Sequence, residues 1–258
     1  MPASAFPPRI VGFGLSPRRA APRVTAMTYR LHYAPDNASL AVRLALFELG
    51  LPFETVLVDR RLGGLRSPAY LALNPMGQIP VLETPDGAMH ETAAILLQLA
   101  DRHSAGRLMP APDDPARGLV LTWLFWLSNT LHPQLRALFY PERHVAPGQE
   151  VAFSRITQAR IADSLTILEA RLPALGHWLG GADPSVLDCY LCPMLRWLAL
   201  YPAGDTGWFV LARWPGLRDI ARAMETRPSA LAAAMAEGLG PLPFSRPVLP
   251  TPTEGSAT

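Results

Sequence analysis

The 258-residue chain contains no lysine; its 23 basic side chains are all arginine. We read that as compositional bias rather than chemistry. Cysteine is nearly absent too. Two in this length exclude a disulfide scaffold, and a single pair does not close a four-ligand zinc site. Their spacing, Cys189-x-x-Cys192, matches a redox dithiol, but it falls inside a helical stretch instead of following a first strand. It therefore reads as two small core cysteines. A net charge of +2 is too small to argue for nucleic acid. No hydrophobic run is long enough for a membrane: Leu119 to Leu131 is broken by Thr122, Ser128 and Asn129 and falls short of the roughly 20 residues needed to span. The apolar stretch Ile10–Leu15 is too short and glycine-broken for a secretory signal, so a cytoplasmic protein is the default.

What is present suffices for a folded core: 49% of residues are hydrophobic and 17% charged. Residues 1–26 are rich in Pro, Ala and Arg, with Arg9, Arg18, Arg19 and Arg23 and no acid. They read as a disordered leader or a start assigned upstream of Met27, with a targeting peptide as the alternative. The proline-rich stretch 241–258 reads as a flexible tail.

Between them, periodicity divides the chain in two. Arg30–Tyr33 reads as a strand, Ala38–Leu49 as a helix stopped by Gly50, and Phe53–Val58 as a second strand. A short helix or turn follows at Ser67–Leu73. Val81–Glu83 and Ala88–Met89 then make a hairpin around Asp86-Gly87, and Thr92–Arg102 is a helix. The order β-α-β-α-β-β-α fits an α/β thioredoxin-like layer over 27–104, with the first two strands parallel because a helix joins them. After a linker at 105–114, residues 115–240 read as an all-helical domain. Its helices are Pro115–Phe139, Glu150–Arg171, Ser185–Leu200, Pro215–Thr226 and Ser229–Glu237. Ser185-Val-Leu-Asp188 has the form of a capping box.

Four places carry chemistry. Ile79-Pro80 suggests a turn or sheet edge where the main chain of Ile79 faces a cleft and pairs with a peptide ligand, or else an ordinary strand-start proline. Glu91-Thr92 opens a helix whose hydroxyl and free N–H groups suit a carboxylate, while Glu91 suits an ammonium; simple capping is the plainer reading. Asp36-Asn37-Ala38-Ser39 lies between the first strand and helix, where a helix N-terminus stabilises a thiolate. Ser39 and Asn37 are the possible donors there, and helix capping is the competing role. His132 is either a donor into a cleft between domains or a surface or capping residue, and the aromatics Trp123, Phe125, Trp126, Phe139 and Tyr140 are core, pocket or both.

From Tyr29 to about Leu239 the chain resembles the glutathione S-transferase family, closest to bacterial beta-class members. The matching stretches include Leu31-His-Tyr-Ala-Pro35 with Ser39-Leu-Ala41, Asn74-Pro75, Gly77-Gln-Ile-Pro80, Glu91-Thr92, Leu131-His132 and Asp188-Cys-Tyr-Leu191. The resemblance implies a thioredoxin-like domain followed by an all-α domain, a homodimer, and glutathione as co-substrate held by Gln78, Ile79, Pro80, Glu91 and Thr92. It further implies His132 near the thiol and Arg61 for the glycyl carboxylate. One departure matters: the beta-class cysteine position is Ala38, and the position about two residues earlier, used by other classes, is Asp36. Thiol activation then falls to Ser39, Asn37 or backbone N–H groups, against the negative charge of Asp36. The resulting expectation is a transferase that delivers glutathione to a small electrophile. The alternatives are a weakly catalytic or non-catalytic glutathione-binding carrier and a glutathione-dependent disulfide reductase.

Overall fold

The computed structural model describes residues 29–257; the expected leader at 1–26 lies outside them. Four strands form one sheet in the order β2-β1-β3-β4. They are β1 (Tyr29–Tyr33), β2 (Phe53–Leu57), β3 (Val81–Thr84) and β4 (Gly87–His90). β1 runs parallel to β2, as the helical crossover between them requires, and antiparallel to β3. The β3–β4 hairpin closes on Thr84↔Gly87, with the Thr84 hydroxyl donating to the Gly87 carbonyl and accepting from the Asp86 N–H.

Helices α1 (Ser39–Glu48), α2 (Pro68–Leu73) and α3 (Thr92–His103) complete this layer. Leu40 and Leu44 of α1, Ile95, Leu96 and Leu99 of α3 and Leu31 of β1 are buried together, which fixes where both helix N-termini point. The second layer holds α4 (Arg117–Trp126), α5 (His132–Phe139), α6 (Glu150–Leu175), α7 (Val186–Leu200), α8 (Pro215–Glu225) and α9 (Pro228–Glu237). α7 is apolar around nearly its whole circumference, and almost every residue on it is buried, as befits a central helix. The capping box forms as the sequence predicts: Ser185 Oγ accepts from the Leu187 N–H and Asp188 from the Ser185 N–H.

Three expectations change. The single helix over 115–139 is broken by a π turn at Leu127–Leu131. Pro133 has no N–H and its ring crowds the carbonyl four residues back, so the turn before it widens. Ile79-Pro80 does not mark a sheet edge, because it leads into β3, an inner strand. The stretch 241–257 is not a loose tail. It packs back as a strap, with the Thr251 N–H donating to Gly238, the Val248 carbonyl accepting from Arg196, and Phe244 and Ser256 buried. Proline content favoured an extended chain, and an extended chain loses less entropy when it docks.

Candidate functional site

The two layers enclose a cleft of about 1470 Å³. Small-molecule pockets run roughly 300–1,000 Å³, so there is room for two ligands side by side.

One wall is the loop before β3. The Asn74 side chain donates to the Gln78 carbonyl (2.8 Å) and accepts from the Met76 N–H (3.1 Å), and the Tyr70 hydroxyl donates to the same Gln78 carbonyl (2.8 Å). Gly77 has φ +59°, and a side chain there would meet the Leu65 carbonyl at 2.8 Å, so the tight approach needs glycine. These bonds hold Gln78, Ile79 and Pro80 along the cleft, with the Ile79–Pro80 bond cis. Both ladders on β3 begin at Val81, and no backbone hydrogen bond joins Ile79 to another described residue. Its main chain therefore remains available to an extended ligand.

Facing it is the start of α3. Glu91 holds φ 70° and ψ 109°, a conformation that costs a non-glycine residue on the order of 1–3 kcal/mol and gathers at ligand sites. Its carboxylate is open to solvent, while Thr92 is buried at the first helical position and lines the cleft. The N–H groups of this first turn have no helical acceptor. Behind Thr92 stands Tyr190, whose hydroxyl lies 2.8 Å from His132 Nδ1. Burial, with the nearby Glu91 charge, pushes the Tyr190 phenol up, so it stays a neutral hydroxyl. Burial, with Arg136 adding to it, pushes His132 down to about 4, so the ring is a neutral imidazole near neutral pH.

The third wall is the β1–α1 loop. Asp36, at φ 53°, is buried, and its carboxylate accepts from Arg196 Nε (2.8 Å) and Nη2 (3.1 Å), Trp197 Nε1 (2.9 Å) and the Tyr201 hydroxyl (2.8 Å). Its charge is thus met by a paired guanidinium, and the expectation that it opposes a thiolate in the cleft does not hold. Ser39 does not reach the cleft either. It is fully buried, and its hydroxyl donates to the Ala34 carbonyl (3.3 Å). Asn37 and Ala38 do line the cleft, but the Asn37 amide already donates to Pro35 and Ala257, and its oxygen accepts from Arg60.

Arg61 borders the cleft, exposed, and its side chain has no partner among the described residues. The sequence reading missed its neighbour Arg60. That guanidinium donates to Asn37, the Ala257 carbonyl and the Tyr140 hydroxyl, linking loop, strap and helical layer. The adjacent pair was the available signal. Which member turns inward depends on the turn at 59–63, anchored by the Asp59 carboxylate on the N–H groups of Arg61 and Leu62. Across the cleft the end of α4, the π turn and α5 present Phe125, Asn129, His132, Arg136 and Phe139, a mixed apolar and basic surface. Trp123 and Trp126 instead pack against the core, and both cysteines are buried in α7 with their thiols pushed up by burial. Among the described residues no group of side chains could hold a metal ion, and no helix is long and apolar enough to cross a membrane.

Comparison with known proteins places this geometry. Residues 38–102 match the family described as glutathione S-transferase, N-terminal domain, and residues 150–223 match glutathione S-transferase, C-terminal domain. Glutathione S-transferase GstA of Escherichia coli O157:H7 is 30% identical over 215 residues, covering 81% of this chain and 99% of that protein. Disulfide-bond oxidoreductase YfcG of Escherichia coli K12 is 30% identical across 67% of this chain and 85% of that one. A sphingomonad glutathione S-transferase complexed with glutathione superposes with a TM-score of 0.68 at 32% identity, covering 82% of this chain and 100% of that chain.

Proposed function

This chain belongs to the glutathione S-transferase family, and on that footing we propose that it is a transferase that binds glutathione between Ile79 and Thr92 and delivers its thiol to a small electrophile. The cysteinyl main chain pairs with Ile79 as a short added strand. The γ-glutamyl carboxylate takes the Thr92 hydroxyl and the first-turn N–H groups of α3, and its ammonium takes Glu91. Gln78 and Pro80 shape the floor, and Arg61 meets the glycyl carboxylate. The sulfur then lies toward Asn37 and Ala38. The electrophile rests against Phe125, Asn129 and Phe139, with His132 as a neutral neighbour. The thiol gives its proton to solvent, the sulfur forms the new bond to carbon, and the leaving group departs with its electron pair. Holding both reactants in one cleft supplies much of the acceleration.

The observation that carries this reading is the pairing, across one cleft, of an unladdered Ile79 main chain with the open first turn of α3. Calorimetric titration with glutathione tests it. The intact protein binds, and Thr92→Ala weakens binding by roughly tenfold, the worth of about one charge-assisted hydrogen bond. No binding by the intact protein sinks the reading.

A second reading, exchange of glutathionyl disulfides, is favoured by the cleft's volume: with alanine at position 38 it needs two bound glutathiones, and the cleft has room for both. Turnover of a mixed disulfide in preference to an aryl halide would select it. We read the protein as a cytoplasmic homodimer with a detoxifying role; light scattering at the monomer mass would remove the dimer.

A further inference from the structure

The cleft carries more positive charge than one glutathione neutralises. Arg60, Arg61, Arg66, Arg136 and Arg143 line it, against the carboxylates of Asp36 and Glu91. Asp36 is already paired with Arg196, and the glutathione reading gives Glu91 to an ammonium and Arg61 to the glycyl carboxylate. Arg66 stands on the glutathione wall, its Nη1 3.4 Å from where a Cβ on Gly77 would lie. The other three guanidiniums gather on the far side. Two of them meet at Tyr140: Arg60 Nη2 donates to its hydroxyl at 3.1 Å, and the Arg143 guanidinium lies over its ring, 4.4 Å from the centroid. The remaining bonds of Arg60 run to neutral oxygens, Asn37 Oδ1 at 3.1 Å and the Ala257 carbonyl, so among the described residues no carboxylate pairs with it. Arg143 has its exposed sequence neighbour Glu142 at 3.6 Å, a contact worth little in water. Arg136, half-buried on α5, forms no ion pair among the described residues, and its charge adds to burial in holding the His132 ring neutral.

We propose that the electrophile carries a carboxylate, and that Arg60, Arg136 and Arg143 around Tyr140 form the subsite that holds it. The inference rests on the glutathione reading above and names the substrate class of that same cleft. Half-buried guanidiniums met only by neutral oxygens are incompletely compensated, and a planar carboxylate matches their donor geometry. Arg60 also sets the distance. One edge of its guanidinium is bonded to Asn37, at the sulfur's end of the cleft, and another to Tyr140. An acid held at Tyr140 is thus about one guanidinium's breadth from the sulfur, a span that a single substituted aromatic ring bridges. Phe125 and Phe139 offer apolar surface between the two ends. The carboxylate takes no part in the bond making. It stays ionised on substrate and product alike, and it orients the carbon that the sulfur attacks. A second glutathione would offer the same carboxylate chemistry, and binding stoichiometry tells the two apart.

The test exploits the fact that carboxylate and nitro groups share a shape and differ in charge. Calorimetry compares S-(4-carboxy-2-nitrophenyl)glutathione with S-(2,4-dinitrophenyl)glutathione on the full chain, after glutathione itself. The intact protein binds the carboxylate conjugate about tenfold more tightly, the scale of one charge-assisted hydrogen bond, and added salt narrows the preference. In the double variant Arg136→Gln, Arg143→Gln the ratio falls toward one while glutathione affinity, which reports an intact fold, is retained. The corresponding double lysine variant keeps the charge and most of the preference. The parent aryl chlorides, each rate divided by its uncatalysed rate with glutathione, show the same preference in kcat/KM, carried by KM. Equal affinity of the two conjugates for the intact protein overturns the proposal whatever the variants do, and so does a preference that survives in the glutamine variant. Two glutathiones per chain in the intact protein, with the second lost in that variant, would give the arginines to the second tripeptide and overturn it as well. Absence of glutathione binding by the intact protein would instead strike the proposed function, and is measured first.

Discussion

Asp36 and Arg196 stand 160 residues apart in sequence and meet with both side chains fully excluded from water. Taking one partner from such a pair leaves the other charge buried, which costs roughly 3–5 kcal/mol. Asp36→Ala is therefore expected to lower the free energy of unfolding by about that amount, read from urea denaturation. The same pairing explains why this residue misled the sequence reading. Its partners Arg196, Trp197 and Tyr201 come from α7 and the turn after it, and no local pattern at position 36 announces them. Ser39 fails for the same reason, since its full burial is a tertiary fact. That Ile79, Glu91 and Thr92 would line one cleft was legible because their setting is local: a main chain before a proline, and the first turn of a helix. His132 adds a prediction in pH. Its pKa falls from 6.5 unfolded to about 4 folded, so as pH drops below 6.5 the unfolded chain takes the proton first and the native state loses stability toward pH 4. Asp188 and Glu237, pushed by burial up to about 6 and about 7, act oppositely, because their charged forms are the costly ones and acid relieves that cost. Wild-type stability alone would blur the two. The stability of wild type minus that of His132→Gln isolates the histidine, and should decline as pH falls from 6.5 to 4. A flat difference would show that the ring titrates normally.

At the scale of elements, α7 depends on its first turn. Asp188 accepts from both the Ser185 and Gly180 N–H groups, whereas Ser185 Oγ accepts one N–H and donates to the Trp178 carbonyl. Asp188→Ala strands the buried Ser185 N–H at about 1–3 kcal/mol and also loses the part-buried bond from Gly180, and Ser185→Ala removes a cap worth about 1–2 kcal/mol. Chemical denaturation should rank the aspartate variant as the less stable. The capping box could be read from sequence since all its parts lie within four residues. The break between α4 and α5 could have been as well: Pro133 was in view, and periodicity alone carried the helix through it. What periodicity does not contain is that the π turn brings Asn129 to the cleft alongside Phe125, His132 and Arg136.

Over the whole molecule, α1 is the seam between the layers. Arg43 pairs with Glu237 at 2.7 Å, and Glu48 receives Arg227 through two bonds of 2.7 and 2.9 Å together with the Ser229 hydroxyl. With the apolar contacts of α1 on α7 and α9, this couples the unfolding of the two layers. All six tryptophans lie in the helical layer, so their fluorescence follows that layer alone, while far-ultraviolet dichroism follows both. The two signals should trace one coincident urea transition, and separate midpoints would show layers that unfold independently. The strap also bears on how the protein is handled at the bench. Ala257 is hydrogen-bonded to Asn37 and Arg60 at the cleft, so an affinity tag fused after residue 258 would emerge beside the ligand. Preparations tagged at opposite ends should differ in retention on immobilised glutathione, and the tag belongs ahead of residue 1.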